Sequence, residues 1–460
     1  MNFAAIGLMS LAALGVWLVR SQRPMALLLI SVASLYLLQP AGLEVVLPTT
    51  TLLLVIGVWW LVNPARDDTD NRTLILIGIT AAVLSVFSNR SAGLQSFSTL
   101  APMAAVAIGA IGIGAVIPRE GEDARRRTAI VFIVIMIAIL IIVKLPALQV
   151  VTTSTLSSAF DRPILPDWQW LGFSYTSFRL MHVLLDFRNK RLQPVSLSNF
   201  ALYAIFFPAI TAGPIDRVEH FVAELTKPTT LDRERITSGA ARIGLGLFKK
   251  FVLADSLAYF ALSPSLVAQT QPGRPLVMWI MVYAYAFRLY LDFAGYSDLA
   301  IGIGILAGIK LPENFTSPYS KRSISAFWNS WHITLSTWFR SYFFTPLSRA
   351  LMNTRLRRRR LWIIFIAQVS AMVLIGLWHG IAVNFILWGL WHGVGLWLHR
   401  VLTERTHNWD EYVQARPRLG QTIHILSVLT TFHFVAIGWI FFALPNLDLI
   451  DKAFAGLVGR

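Results

Sequence analysis

LWIIFIAQVSAMVLIGLWHGIAVNFILWGLWHGVGLWLH, from Leu361 to His399, runs for thirty-nine residues without one Asp, Glu, Lys or Arg. About 20 apolar residues cross the hydrocarbon of a bilayer, so this stretch is long enough for two crossings or a deep hairpin. His379 lies near its middle, in Gly376-Leu-Trp-His379-Gly380, and His392 follows in Trp391-His392-Gly393. His379 is therefore placed either far from bulk water or at a sharp turn. Gly376 and Gly380 let the backbone bend or another segment approach closely. An ionisable group at such a depth is a functional candidate by default. Burial disfavours the charged imidazolium, and a neutral imidazole can take a proton from a hydroxyl, which is the work of a general base. The competing reading is a histidine satisfied by a backbone carbonyl and holding two helices together.

The composition of the whole chain agrees with a lipid solvent. Of 460 residues, 55% are apolar and only 14% charged, against roughly 25% charged in a soluble protein. With no cysteine, disulfides, thiolate metal sites and cysteine nucleophiles are excluded. The net charge of +16 would suggest nucleic acid in a soluble protein. In a membrane protein, basic cytoplasmic loops account for it, and no nucleic-acid partner is expected.

Working outward, the apolar segments are Phe3–Val19, Met25–Leu38, Thr49–Val62, Thr73–Ser88, Thr99–Ile117 and Thr128–Val143. Leu171–Leu185, Leu197–Thr211, Ala240–Leu262, Val277–Phe293, Leu361–Trp378, Ile381–Leu398 and Ile423–Ala443 follow. The expected fold is all-α: a polytopic membrane protein of roughly eleven to thirteen spanning or re-entrant helices. Phe3–Val19 lacks a basic start, and Arg20 and Arg23 come after it, so it reads as an uncleaved first helix with its N-terminus outside. Alternation from there puts Arg119, Arg125–Arg127, Arg188, Lys190 and Arg191 inside, which points to the cytoplasmic membrane. Beyond Thr211 the alternation gives no firm topology. Glu219–Arg235 is polar enough for the interface. Residues 318–349 carry Phe327, Trp328, Trp331, Trp338, Phe339, Tyr342, Phe343 and Phe344 beside Arg322, Arg340 and Arg349, the pattern of helices lying in one leaflet among membrane lipids.

His332, in Phe327-Trp-Asn-Ser-Trp331-His332-Ile-Thr-Leu-Ser336, is the second candidate, although an aromatic belt suits an imidazole without any function. His392 and His399 are seven apart, share a helix face and read as aromatic packing. His182, His220, His407, His424 and His433 give no distinguishing signal. The histidines form no HExxH-like cluster, so no metal site is expected. Arg288 and Asp292, in Arg288-Leu-Tyr290-Leu-Asp292-Phe-Ala-Gly295-Tyr296-Ser297-Asp298, are four apart and could neutralise each other in lipid or line a polar tunnel. Gly302, Gly304 and Gly308 read as tight helix packing. The cluster Arg355, Arg357, Arg358, Arg359 and Arg360 marks topology, or attracts an anionic headgroup, the phosphates of a coenzyme or an acidic carrier protein.

Seven blocks in this order carry a resemblance: Ala212-Gly-Pro-Ile-Asp-Arg217, Gly246-Leu-Phe-Lys249-Lys250-Phe-Val-Leu-Ala-Asp255, Leu291-Asp-Phe-Ala-Gly-Tyr-Ser-Asp298, Leu311-Pro-Glu-Asn314-Phe, Phe327–Ser336, Gly376–Gly380 and Gly438-Trp-Ile-Phe-Phe442. Together they resemble the membrane-bound O-acyltransferase (MBOAT) family, in its bacterial branch of alginate O-acetyltransferases and teichoic-acid D-alanyl transfer proteins. The resemblance covers roughly residues 165–445, leaving 1–164 as N-terminal helices partly outside the pattern and 446–460 as a tail. It implies catalytic roles for His379 and His332. Arg288, Asp292, Tyr296, Asp298, Asn314, Trp331, Trp378 and Arg340 are the candidates for substrate contact. The implied chemistry moves a short acyl group, acetyl in the first instance, from a cytoplasmic thioester to a hydroxyl of an envelope or secreted glycan. The donor is acetyl-CoA or an acyl carrier protein thioester, with no tightly bound cofactor. An extracytoplasmic acyltransferase partner could relay the group.

Three departures leave the subfamily and the acceptor open. The first 165 residues are longer than the usual start. Ser348-Arg349 stands where the alginate branch carries glycines, and Ala443 follows Phe442 where the family often has arginine. A transporter or lipid flippase would also explain many spans and a midplane histidine, but it calls for inverted repeats, and none is evident. A non-catalytic docking subunit that keeps the fold is the third reading.

Overall fold

A computed structural model describes residues 3–40, 43, 45–63, 67–91, 121–159, 169–405 and 416–460. Among them every regular element is helical. Five helices are long and apolar enough to cross a membrane: Phe3–Leu37, Glu122–Lys144, Pro275–Ala307, Arg360–His379 and Pro417–Ala443; Val46–Val62 and Leu197–Ala209 are shorter apolar ones. The expected segment Thr99–Ile117 lies outside the described residues. The first two expected segments form one kinked rod, with Val19 out of helical geometry (φ −115°, ψ 52°). The rod, the Glu122–Lys144 helix and others present Leu18, Ile75, Val134 and Ile135 outward. Such faces would be costly in water and are ordinary against lipid tails.

The described residues form two compact units, Met1–Gly244 with Ser297–Pro312, and Leu245–Tyr296 with Glu313–Arg460. The first unit is organised around a buried arginine. The expected segment Leu197–Thr211 stops helical pairing at Ile205 because Pro208 has no N–H and its ring would clash with the carbonyl four residues earlier, that of Ala204. Arg179, 2% exposed on the Phe173–Arg188 helix, collects the consequence. Its guanidinium donates to the carbonyls of Ala204 (3.1 Å), Ala209 (2.8 Å) and Pro214 (3.4 Å). A guanidinium offers five donors in a planar fork, so one side chain serves three carbonyls of this stretch. The break in the helix and the Ala212–Arg217 block are thereby fixed together. Close approach is needed at Gly308, at φ +85°, where a Cβ would meet the Arg23 guanidinium. Arg23 in turn donates to the Leu225 carbonyl at 2.6 Å.

The second unit is built on a helical hairpin. Arg360–His379 and Val383–Arg405 lie side by side, joined by three residues after the helix ends at His379. Water supplies no hydrophobic drive between helices inside a bilayer, so contact rests on dispersion, hydrogen bonds and small residues. Gly376 faces the Phe385 carbonyl, and a Cβ on Gly389 would stand 2.6 Å from the Val373 Cα. The Pro417–Ala443 helix closes on the hairpin through Asn384 to the Phe441 carbonyl (3.1 Å) and Trp391 to the Phe434 carbonyl (2.9 Å). Short helices Ile324–Trp328, Ile333–Phe339 and Thr345–Met352 occupy the aromatic region, as its sequence suggested.

Candidate active site

His379 is the last residue of its helix, half-buried, before a Gly380 in extended geometry (φ −175°). Of the two placements the sequence allowed, the sharp turn is the one observed. Its ring packs edge-on against Phe442 (4.9 Å between centroids), Trp388 (5.7 Å) and Trp378 (4.6 Å), and lies flat near Phe385 (6.2 Å). Four aromatic neighbours hold the imidazole in an apolar collar at an open helix end.

His332 is 2% exposed and adopts the left-handed backbone region (φ +41°, ψ 53°) just before the Ile333–Phe339 helix. A non-glycine residue in that region costs of order 1–3 kcal/mol, a strain found where the surroundings fix a side chain for use. The surroundings here are the fully buried Asn314. Its main-chain carbonyl accepts from Ile333 N (3.0 Å). Its Oδ1 accepts from Thr334 N (3.3 Å) and Thr334 Oγ1 (2.9 Å), and faces His332 Nδ1 at 3.2 Å. Because the Thr334 N–H can only donate, the amide atom is the oxygen, and His332 Nδ1 must carry the proton. Nε2 is then the basic nitrogen of that ring. Burial drives the His332 imidazole down to about 3, so it is neutral at any ordinary pH.

The two histidines share a neighbour. The Trp378 indole lies 6.3 Å from the His332 ring and 4.6 Å from that of His379, with Phe293 closing the other side of His332 at 4.7 Å. Trp331 is set in an aromatic layer with Phe315 (5.2 Å), Phe327 (5.5 Å) and Trp439 (4.9 Å), and Trp439 stacks on Trp388 at 5.9 Å. Asn314, Trp331, Trp378, His332 and His379 are thus one constellation. The charge-free stretch made His379 findable, whereas Trp388 gave no signal and Trp439 and Phe442 stood in a family block with no role attached to them.

The remaining candidates fall elsewhere. Asp292 does not pair with Arg288, four residues earlier; its carboxylate takes the Lys250 ammonium from a π-turn over Phe248–Ala254. Gly295 permits this, since a Cβ there would stand 3.0 Å from Lys250 N. Arg288 is exposed and Tyr296 is buried. Asp298 belongs to the first unit and is committed to Arg242 at 2.6 Å. Arg340 pairs with Asn329 and lines a cavity of about 180 Å³ with Ser336, Gln368 and Met372; neither candidate histidine is in that lining. His392 is fully buried among Trp328 (5.3 Å), Trp388 (5.0 Å) and Phe434 (5.9 Å), the aromatic packing its spacing suggested.

A family model described as MBOAT, membrane-bound O-acyltransferase family, matches residues 122–438, well over half the chain and the whole constellation. The chain belongs to the membrane-bound O-acyltransferase family. Among the relatives of this MBOAT chain, a peptidoglycan O-acetyltransferase of Helicobacter pylori is 36% identical over 269 residues, 57% of this chain and 48% of that protein. A probable alginate O-acetylase of Azotobacter vinelandii is 33% identical over 289 residues, 62% of this chain and 53% of the relative. A teichoic acid D-alanyltransferase of Bacillus subtilis is 32% identical over 279 residues, 60% and 68% respectively. The MBOAT chain thus spans about half the length of the peptidoglycan and alginate relatives it matches. The matched region begins well before residue 165 and takes in the Glu122–Lys144 helix.

Proposed function

We propose that this membrane protein transfers a short acyl group, acetyl in the first instance, from a thioester arriving on the cytoplasmic side to a hydroxyl of an envelope or secreted glycan. The observation that carries the reading is the Trp378 indole packed against both the His332 and the His379 rings, in a chain of this family. In the proposed step His379 takes the acceptor hydroxyl proton as the oxygen attacks the thioester carbonyl. The tetrahedral intermediate then expels the thiolate, which recovers that proton and leaves as the thiol. His332, its proton held on Nδ1 toward Asn314, presents Nε2 and orients one reactant through a hydrogen bond. One general base supplies about 10²–10⁴-fold. The rest of the rate comes from holding the two reactants together and keeping water from hydrolysing the thioester.

The named relatives modify peptidoglycan, alginate or teichoic acid, which supports a carbohydrate-polymer acceptor, reached directly or through an extracytoplasmic acyltransferase partner. Acetyl-CoA or an acyl carrier protein thioester is the donor. The exposed arginines Arg355 and Arg357–Arg360 at the head of the hairpin would attract either the coenzyme phosphates or an acidic carrier protein, and would lie on the cytoplasmic side. The N-terminus then lies outside the cytoplasmic membrane. Purified protein in lipid nanodiscs, given radiolabelled acyl thioester and a hydroxylated glycan, should pass label to the glycan. Movement of an intact solute across the bilayer without label transfer would contradict the proposal and favour a transporter.

A further inference from the structure

Trp439, 1% exposed on the Pro417–Ala443 helix, touches both halves of the candidate site. It stacks on Trp388 (5.9 Å between centroids) and meets Phe442 edge-on (5.6 Å), two of the rings that pack on His379. It also lies 4.9 Å from Trp331, the residue before His332. A shift of this one indole would reach the surroundings of both histidines. Stacked rings tolerate sliding in their plane, whereas a hydrogen bond weakens steeply off its line.

Trp439 has such a bond. Its Nε1, which can only donate, gives its hydrogen to the Tyr319 hydroxyl at 3.1 Å. That hydroxyl gives its own proton to the Ala286 carbonyl at 2.8 Å, inside the Pro275–Ala307 helix. Both directions are forced, because an indole cannot accept and a carbonyl cannot donate. A hydroxyl that donates becomes a better acceptor, so the two bonds strengthen each other. Trp388 Nε1, by contrast, has no hydrogen-bond partner among the described residues. Its place depends on the rings packed against it, Trp439 among them.

The backbone around Tyr319 is specified as closely as that around His332. Ser317 adopts the left-handed region (φ 49°, ψ 63°) just before the Pro318–Ser320 turn, a strain that persists where the surroundings fix a residue. Thr316 N donates to the Ser330 carbonyl at 3.0 Å, as Ile333 N does to that of Asn314. The segment from Asn314 to Tyr319 is thus tied to the His332 loop. Its first residue orients His332 and its last holds Trp439.

We propose that Tyr319 is a positioning residue of the acyl-transfer site. Its hydroxyl, fixed to the Ala286 carbonyl, holds the Trp439 indole against Trp388, Phe442 and Trp331, and so sets the walls beside His379 and His332. It acts through Trp439 and takes no part in the bond changes. The role rests on the acyl-transfer reading of the site.

The test uses the full chain in nanodiscs with a hydroxylated glycan and labelled acetyl-CoA, or the acetylated carrier protein where wild type uses that donor. Tyr319→Phe removes one oxygen and keeps the ring. It should lower kcat about 10–100-fold, the cost of a small misplacement at a reacting centre, and leave the KM of the donor unchanged. Tyr283→Phe is the control, since its hydroxyl bonds His433 at 2.8 Å from the same Pro275–Ala307 helix and its ring meets Trp279, Phe432 and His433. It loses a comparable hydrogen bond and should keep its kcat. In a Trp439→Phe background, Tyr319→Phe should lower kcat no further, because the group it acts on is gone. A wild-type kcat in Tyr319→Phe, an equal loss in Tyr283→Phe, or independent losses in the double variant would each overturn the role while wild type still transfers label. Should Trp439→Phe fail to fold, the two tyrosine variants decide. No transfer by wild type would overturn the acyl-transfer reading itself, and the role with it.

Discussion

At the residue scale, the orientation of His332 turns on Asn314. Its Oδ1 accepts twice from Thr334 and sets the tautomer of the histidine. Asn314→Ala leaves those donors without their shared acceptor, at about 1–3 kcal/mol for a buried group left unsatisfied. It should lower Tm in detergent and reduce kcat more than it raises the KM of the donor, because it disturbs orientation and not binding area. An unchanged kcat would remove His332 from the site. The pH dependence of stability follows from the same residue. Burial holds His332 down to about 3, below the ordinary 6.5, so the unfolded chain takes up this proton first. Its contribution is whole above about pH 6.5 and is lost progressively as the pH falls toward about 3. The Tm difference between wild type and His332→Asn should accordingly be smaller at pH 5 than at pH 7, wild type losing more on acidification. Parallel curves for the two proteins would show that the ring titrates normally. The sequence exposed His379 and His332 through the tryptophans and glycines that flank them. It could not reveal that Asn314 orients His332, because eighteen residues separate the pair and only the left-handed turn at His332 brings them together.

At the element scale, the hairpin that carries His379 owes its closeness to glycine. A Cβ on Gly376 would run into the Phe385 carbonyl, which is backbone and cannot swing aside. Gly376→Ala should therefore destabilise the protein by about 1–3 kcal/mol, the usual cost of overpacking, and displace His379 enough to lower activity. Gly78→Ala is the contrast, since a Cβ there meets nothing within 4 Å and the substitution removes unfolded-state freedom. Thermal unfolding of the two variants in the same detergent measures both, and equal Tm values would mean that the close approach does not constrain the hairpin. The helices themselves were visible as uncharged runs, though several ends were not. Val277–Phe293 grows to Pro275–Ala307 because Gly295 and Gly302 sit inside a helix, where they admit Lys250 N (3.0 Å from a Cβ on Gly295) and the Gly239 carbonyl (2.9 Å from one on Gly302). Leu197–Thr211 shrinks for the opposite reason: Pro208 offers no N–H to the Ala204 carbonyl, and Arg179 donates to that carbonyl instead.

At the scale of the whole molecule, the low charge content already required lipid as solvent, and the outward apolar faces of the Glu122–Lys144 helix agree. Val134, near its centre, is 57% exposed. Val134→Arg puts a charge against hydrocarbon at about 2.5–3.5 kcal/mol, and a membrane-insertion reporter on this segment should show a reduced inserted fraction. Undiminished insertion would mean that this face meets protein or water. What composition and periodicity could not supply is long-range pairing of charges. The i, i+4 rule offered Arg288 to Asp292, yet Lys250, forty-two residues away, takes that carboxylate. Glu219 likewise approaches His182 from a second helix, 3.8 Å from its Nε2, a pairing that no local spacing announces.

The most direct test of the proposed chemistry is a single-turnover experiment on His379→Ala in nanodiscs, with labelled acyl thioester and glycan supplied at saturation and folding checked by Tm. The account predicts a folded protein that still binds the thioester and transfers no label above the uncatalysed background. Transfer at the wild-type rate by that variant would contradict it.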